Sequence, residues 1–162
     1  MSPRYPATPA TRVLEAASAD FTPYLFPYVE KGGTRHSAEV LGVPEHSVIK
    51  TLIFQDEAKA PLCVLMHGDM RVLEKAIAKA AGVRSVSPCD PAVAEKHSGY
   101  KVGGTSPFGL RRAMRIFVEA TIFDLELIHI NGGKRGFLVS FEPIILRAVL
   151  TPTVVTAGAQ RI

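Results

Sequence analysis

The sequence predicts an α/β protein of the α+β type, with a mixed, mostly antiparallel central sheet surrounded by helices. Helical and strand-like patterns follow one another irregularly, without the regular strand–helix–strand order of a doubly wound fold. Two apolar runs, 48–54 and 62–66, flank a polar turn and so indicate a hairpin. A second pair of runs, 125–130 and 137–141, flanks a glycine-rich turn at Asn131–Gly136. At 162 residues the chain has the length of one domain.

Residues 1–7 contain two prolines and no helical pattern, so we expect a loose N-terminal tail followed by a single domain over residues 8–162. Apolar residues at helical spacing predict a first helix within 8–19. A short strand, interrupted by proline, is expected over Tyr24–Val29. A second helix is predicted over Thr34–Leu41, ending at the glycine that follows.

The second half of the chain begins with a predicted basic helix, capped by Asp69 and closed by Gly82. A brief strand is expected at 84–86, and Asp90-Pro91 has the form of a helix start that continues to about residue 97. Further along, 116–118 predicts a strand. A final helix is predicted from Pro143 to about residue 150.

Composition excludes several classes of protein. Hydrophobic residues make up 47% and charged residues 21%, and no apolar run approaches the roughly 20 residues of a transmembrane helix. The N-terminus lacks the apolar segment of a signal peptide. Two cysteines and five histidines without ligand spacing indicate neither a disulfide framework nor a metal site. We therefore expect a soluble, cytoplasmic protein with no cofactor and no membrane or DNA partner.

The formal net charge of +4 is compatible with a polyanionic partner. Arg71, Lys75 and Lys79 are spaced i, i+4, i+8 and would form one basic stripe on the predicted helix. Lys134 and Arg135 add a second basic group beside a glycine-rich turn. Each group can equally be a solvated surface face, so charge alone leaves nucleic-acid binding open.

Two features indicate a catalytic or binding site. Lys50 lies inside an apolar run where a buried ammonium would be costly without compensation, and the loop 99–109 carries four glycines and a proline that let the backbone approach a ligand. The alternatives are a strand lysine whose stem crosses the core and an ordinary surface turn. A nucleotide-binding P-loop is excluded because Leu110 and Arg111 stand where that motif needs Lys and Ser or Thr.

Three segments, taken together, resemble a known family. They are Val48-Ile49-Lys50-Thr51-Leu52, Gly99-Tyr100-Lys101-Val102-Gly103-Gly104-Thr105-Ser106-Pro107-Phe108-Gly109 and Gly132-Gly133-Lys134-Arg135-Gly136. In this order and spacing they are similar to the YbaK/EbsC branch of the YbaK/ProX aminoacyl-tRNA deacylases, relatives of the editing domain inserted in bacterial prolyl-tRNA synthetases. The resemblance covers about Leu14 to Ala157. It implies the YbaK fold and trans-editing hydrolysis of mischarged tRNA, Cys-tRNA(Pro) first, with prolyl-tRNA synthetase as a candidate partner.

The resemblance also implies roles for individual residues. Lys50, Gly103 and Pro107 match the family's catalytic lysine and glycine-proline loop. The implied substrate-binding residues are Gly104, Thr105, Ser106, Asn131, Gly132 and Phe26, and the implied contacts to the acceptor end of tRNA are Arg71, Lys75, Lys79, Lys134 and Arg135. In cysteine-editing members the substrate's own thiol attacks the ester, which would explain why no nucleophile or metal site is evident here.

Two positions depart from the family pattern. Asn131 stands where cysteine-specific relatives commonly have serine, which leaves the accepted amino acid open. Phe26 is the nearest match to an expected pocket tyrosine, with Tyr24 and Tyr28 two positions to either side. The alternatives are a deacylase for another small group, such as Ala-tRNA(Pro), a non-catalytic tRNA- or synthetase-binding module, or a small-molecule-binding protein. Lys50 and the loop favour the enzyme.

Overall fold

The computed structural model describes residues 4–160, and an eight-stranded mixed sheet forms its centre. The strands are β1 Thr22–Leu25, β2 Val48–Asp56, β3 Pro61–His67, β4 Met70–Val72, β5 Val86–Pro88, β6 Arg115–Glu119, β7 Ile128–Lys134, β8 Phe137–Phe141, β9 Thr153–Val155 and β10 Gly158–Gln160. The helices are α1 Pro9–Ala16, α2 Gly33–Leu41, α3 Glu74–Ala81, α4 Pro91–Ser98 and α5 Ile144–Leu150, with 3₁₀ turns at Glu45–Ser47 and Ala120–Asp124.

The strand order is β1-β8-β7-β2-β3-β6-β9, and β5 pairs with β2 beside this path. The β1/β8, β7/β8, β2/β3 and β2/β5 pairs are antiparallel, whereas β2/β7, β3/β6 and β6/β9 are parallel. Strands β4 and β10 form a separate antiparallel pair. This arrangement confirms the predicted fold class and places β2, which carries Lys50, in the middle of the sheet.

Strand β3 is buried along all of its length because helices or loops cover both faces of the sheet. Cys63 and Leu65 face a large core that includes α1, α4, α5 and Phe108. Val64 and Met66 face the opposite core, which is closed by α3. Because successive side chains of a strand point to opposite faces, the single apolar run of β3 contributes side chains to both cores.

The predicted β2/β3 hairpin is present, as are the helices now labelled α1, α2, α4 and α5, to within a few residues. Helices α2 and α3 end as expected at Gly42 and Gly82, whose φ angles of +68° and +71° favour glycine. Tyr5, in the segment predicted as a loose tail, packs edge-on against Phe21 and parallel to Phe137. The first three residues of that segment lie outside the described part of the chain.

The basic helix differs from the prediction at its start. Asp69 does not cap it; its carboxylate lies 2.9 Å from Nδ1 of His46. Residues Met70–Val72 form β4, pairing with β10, and the helix begins at Glu74. Pairing with β10, a strand near the far end of the described chain, takes the place of the first helical turn. A local sequence pattern cannot reveal so distant a partner.

Three strand predictions were also displaced. The first strand ends at Leu25, not at Val29, because its partner β8 begins at Phe137. Strand β7 spans Ile128–Lys134 instead of 125–130, so most of the segment predicted as a turn belongs to a strand. The brief strand expected at 84–86 lies at Val86–Pro88. Strands β9 and β10 were not predicted at all. No helix within residues 4–160 has the length and apolar character needed to span a bilayer.

Candidate active site

A gap in the central sheet creates the main cavity. On the side of β2 away from β3, pairing with β7 ends at Ile49, and pairing with β5 begins only at Phe54. A cavity of about 650 Å³ occupies the space between. Its lining residues come from both faces of the sheet, since Ala94 belongs to the core around α1 and Val72 packs on the core around α3.

Main-chain alternation along β2 determines which groups face this gap. Asp56 N–H donates to Ala60 C=O at 3.0 Å, which assigns the even-numbered residues of β2 to the ladder with β3. Ile53 C=O accepts from Cys89 N–H at 3.0 Å on the opposite edge. Thr51 is the odd-numbered residue between the two ladders, so its N–H and C=O face the cavity. Its buried hydroxyl oxygen has no hydrogen-bond partner. The sheet thus offers an open segment of strand edge inside the site.

Lys50 lies on the wall of this cavity and is half-buried, which corrects the expectation of a fully buried ammonium. Its Nζ donates to Gly68 C=O at 3.4 Å. The hydroxyl oxygen of Thr34 lies 3.3 Å from the same carbonyl and 2.7 Å from Glu45 Oε2, and its single proton is donated to the nearer carboxylate. Contact with solvent through the cavity and with this carbonyl reduces the cost of holding a cation in the middle of a sheet.

The glycine-rich loop forms a second part of the wall, although only some of its members line it. Gly103 and Thr105 line the cavity. Gly103 has φ +91°, and a Cβ there would lie 2.7 Å from the hydroxyl of Tyr28. Gly104 packs so tightly that a Cβ would lie 2.8 Å from Arg135 N. Gly103 is therefore required for conformation and Gly104 for close approach.

Behind this wall the loop is anchored in the core. Ser106 and Pro107 are buried and do not line the cavity. The hydroxyl of Ser106 accepts from Phe108 N–H at 3.1 Å, and Tyr100 donates to the carbonyl of Phe108, whose ring is fully buried. These contacts of Ser106 and Tyr100 hold the shape of the loop, so that Gly103 and Thr105 line the cavity while Ser106 and Pro107 lie behind it.

Asn131 connects the third motif to the loop. Its Oδ1 accepts from the N–H groups of Gly133 and Lys134 at 2.7 and 3.1 Å, which stabilises a bulge in β7. Its Nδ2 donates to the carbonyls of Gly103 and Lys134 at 3.1 and 3.2 Å. The side chain lines the cavity, yet both ends of its amide are engaged with main chain. Gly132 lies behind it, where a Cβ would be 2.4 Å from the ring of Phe137.

Of the three aromatic candidates, Tyr28 lies closest to the loop. The guanidinium of Arg135 lies over its ring, with Cζ 4.9 Å from the ring centroid, and its hydroxyl lies next to Gly103. Phe26 packs edge-on against His36 and does not line the cavity, and Tyr24 packs on His129. Phe26, which directly follows the last residue of β1, packs on the cluster of Ala38, Val48 and Leu138.

The predicted basic stripe is divided between two elements. Arg71 lies on β4 and lines the cavity, whereas Lys75 and Lys79 are exposed on α3. Lys134 is exposed near the loop, and Arg135 donates from Nε to the carbonyl of Val102 at 2.9 Å. Sequence reasoning did not single out the other polar lining residues. Thr34, Ser37 and Glu74 belong to no motif, and Thr51 was quoted only as part of the motif that carries Lys50.

No residue at the site has the character of an activated nucleophile. Burial raises the pKa of the Cys63 thiol to about 12, and this side chain lies in the core. Cys89 lines the cavity, but burial and the nearby carboxylate of Asp90 raise its pKa as well. Within residues 4–160, no group of His, Cys, Asp and Glu side chains could hold a metal ion.

Comparison with known proteins gives a consistent result. Residues 33–148 match the family model of the aminoacyl-tRNA editing domain. EbsC of Enterococcus faecalis, provisionally named a Cys-tRNA(Pro)/Cys-tRNA(Cys) deacylase, is 27% identical over 137 residues, which cover 84% of each protein. The proline–tRNA ligase of Brachyspira hyodysenteriae is 28% identical over 86 residues, covering 53% of this chain but 15% of the ligase.

Solved structures share the fold. The crystal structure of APE2540 superposes with a TM-score of 0.86 at 22% identity, covering 93% of this chain and 99% of the other. A protein described provisionally as a trans-editing enzyme for prolyl-tRNA synthetase gives a TM-score of 0.83 at 18% identity, covering 96% and 99%. At such identities the likeness establishes the fold alone.

Proposed function

This chain belongs to the aminoacyl-tRNA editing family and is an aminoacyl-tRNA deacylase, and on that premise we propose that its substrate is Cys-tRNA(Pro). The relative named for that activity matches most of the chain, at moderate identity. The reaction is hydrolysis of the ester between the amino acid and the terminal ribose. It frees the tRNA for correct charging.

One observation carries the proposal: residues from two of the sequence motifs, and the residue directly before the third motif, line a single cavity. Lys50 from β2, Gly103 and Thr105 from the glycine-rich loop and Asn131 from the bulge of β7 all line it. A volume of about 650 Å³ suits an amino acid with a terminal nucleoside. Because the open edge of β2 runs along the cavity, main-chain groups can hold an aminoacyl ester without a dedicated side chain.

In the proposed mechanism the protein supplies position and charge. The Lys50 ammonium offsets negative charge that develops on the ester oxygen or on the adjoining phosphate, and main-chain groups near Gly103 hold the carbonyl. The cysteinyl thiol of the substrate attacks its own carbonyl carbon, and a cyclic thioester (a thiolactone) forms as the bond to the ribose oxygen breaks. The proton lost by the thiol passes to that oxygen as the 3′ end of the tRNA leaves, and water then hydrolyses the thiolactone to cysteine. Both cysteines of the protein stay out of this chemistry, since their thiols are disfavoured as thiolates.

The remaining cations suggest how tRNA is held. Arg71 lines the cavity and is suited to the phosphate of the terminal nucleotide, because guanidinium binds phosphate through two donors. Lys75, Lys79 and Lys134 are exposed and can contact the acceptor stem. A domain of this size does not reach the anticodon, so we assign that selectivity to prolyl-tRNA synthetase as a partner, in the cytoplasm where charging occurs.

Hydrolysis of Cys-tRNA(Pro), Ala-tRNA(Pro) and Pro-tRNA(Pro) by the purified protein tests this proposal, with Lys50→Ala assayed in parallel. Rapid, lysine-dependent loss of the cysteinyl ester alone would support it. Preference for the alanyl ester would assign the enzyme to the other specificity, which Asn131 leaves open. Absence of hydrolysis of all three esters would contradict the proposal and favour a tRNA- or synthetase-binding module.

A further inference from the structure

A buried polar network lies next to Gly68, the residue whose carbonyl accepts a hydrogen bond from Lys50. His67, the last residue of β3, is fully buried, and its Nδ1 lies 2.7 Å from the carbonyl of His46. Its Nε2 lies 2.8 Å from the hydroxyl of Thr121. That hydroxyl lies 2.8 Å from Oε2 of Glu119, which is also buried. The His46 ring stacks on the His67 ring, with centroids 3.6 Å apart, and contacts Asp69.

Glu119 is the fixed end of this network. Its Oε2 accepts from Thr121 N–H at 3.1 Å, and its Oε1 accepts from Ala157 and Gly158 N–H at 2.7 and 2.8 Å. A carboxylate held by three main-chain donors cannot easily change position. Thr121 thus connects an immobile carboxylate to the ring of His67.

The residue after His67 is Gly68, whose carbonyl accepts from the ammonium of Lys50. A Cβ at Gly68 would lie 2.6 Å from the Thr34 side chain and 2.8 Å from the carbonyl of Val48, so the chain is closely packed around Gly68. Gly68 N–H donates to that same carbonyl at 2.7 Å. The direction of the Gly68 carbonyl therefore depends on where β3 ends, and the ring of His67 fixes that end.

We propose that His67, anchored by Thr121 and Glu119, is a positioning residue for Lys50 and acts through the carbonyl of Gly68. The inference rests on the proposed function only in giving Lys50 a part in binding the aminoacyl ester. None of the three network side chains lines the main cavity, so their effect on the reaction is indirect. Networks of this kind couple residues that do not touch the ligand.

The test is a double-mutant cycle on binding, which needs no turnover. The probe is an acceptor-stem microhelix that carries cysteine through a 3′-amide in place of the ester. Dissociation constants are measured for the wild type, Thr121→Val, Lys50→Ala and the double variant, and Thr121→Ser is the matched control because it keeps the hydroxyl. Thermal unfolding of every variant confirms that each is folded at the assay temperature.

We expect Thr121→Val to weaken binding by about fivefold or more, within the range measured for coupled neighbours. Thr121→Ser should recover most of that loss, and Thr121→Val should weaken binding no further when Lys50 is already alanine. An equal loss in both backgrounds, or no loss in either, would overturn the proposal. Failure of the wild type to hydrolyse Cys-tRNA(Pro) would contradict the proposed substrate, whereas the binding cycle reports on the network alone.

Discussion

At the scale of single residues, Lys50 gives the most direct prediction. Lys50→Ala should lower kcat/KM for deacylation by ~10²-fold or more, a loss typical of removing one charge-stabilising donor. Stability should change little, because the ammonium is half-buried and opens on a cavity. Steady-state kinetics and thermal unfolding measure the two effects. Lys96→Ala, which removes an exposed lysine on α4 that does not line the cavity, is the control; equal losses in both variants would contradict a specific role.

Asn131 gives a second prediction, since the two ends of its amide serve different partners. Asn131→Asp keeps the oxygen that accepts from Gly133 and Lys134 but replaces the donor to Gly103 with a second acceptor. We expect the bulge to survive and the loop to detach. Activity should fall more than tenfold, while the free energy of unfolding decreases by only about 0.5–1.5 kcal/mol, because water can reach the exposed carbonyl of Gly103. Crystal structures of the wild type and of Asn131→Asp would show the position of the loop. An unchanged position of Gly103 would contradict this account.

Two buried histidines predict how stability depends on pH. Burial lowers the pKa of His129 and of His67, so both rings bind a proton more weakly in the folded chain than in the unfolded one. Their contribution to stability is complete above the unfolded pKa of about 6.5 and is lost as pH falls below it toward the lowered folded values. His129 Nδ1 has no hydrogen-bond partner, so His129→Leu should flatten this acid dependence without lowering stability at neutral pH. Urea unfolding at several pH values tests it; an unchanged slope would exclude His129.

At the scale of secondary-structure elements, local patterns predicted the helices and the hairpin but not the bulge in β7. The hairpin follows from two apolar runs at the right separation. The bulge depends on Asn131, whose amide bonds to groups on its own strand and on a loop 28 residues away. The motif could therefore be recognised, whereas its conformation could not. Phe26 was assigned to the site through the resemblance to the family, and its packing on Ala38, Val48 and Leu138 depends on distant parts of the chain that a local pattern does not reveal.

Strand β4 separates cations that appear alike in the sequence. Arg71 lines the cavity, whereas Lys75 and Lys79 lie exposed on α3. Arg71→Ala should weaken binding of the aminoacylated microhelix by about tenfold, as expected for loss of a two-donor phosphate contact. Lys75→Ala and Lys79→Ala should each change it by less than about threefold and mainly reduce the salt dependence of full-length tRNA binding. Equal effects of all three substitutions would contradict this division and support the single basic stripe that the sequence predicted.

At the scale of the whole molecule, distant parts of the chain assemble the site. Strand β10, which the sequence did not predict, pairs with β4 and so supports the wall that carries Arg71. Leu73 N–H also donates to Ala157 C=O at 2.7 Å. A three-residue strand has too little periodicity to be detected, and its partner residues lie 86 to 90 positions earlier in the sequence.

Truncation after Val155 therefore gives the last prediction. It removes β10 and the two main-chain donors, from Ala157 and Gly158, that hold one oxygen of Glu119. Burial raises the pKa of this carboxyl, but its hydrogen bonds now keep it below the usual range. Without two of them the buried charge is poorly compensated, and we expect a loss of about 3–5 kcal/mol in the free energy of unfolding. Glu119→Gln in the truncated chain removes the charge and should recover part of this loss, whereas the same substitution in the full chain should destabilise. Urea unfolding of the four proteins measures the difference, and destabilisation by Glu119→Gln in both chains would mean that β10 does not act through this carboxylate.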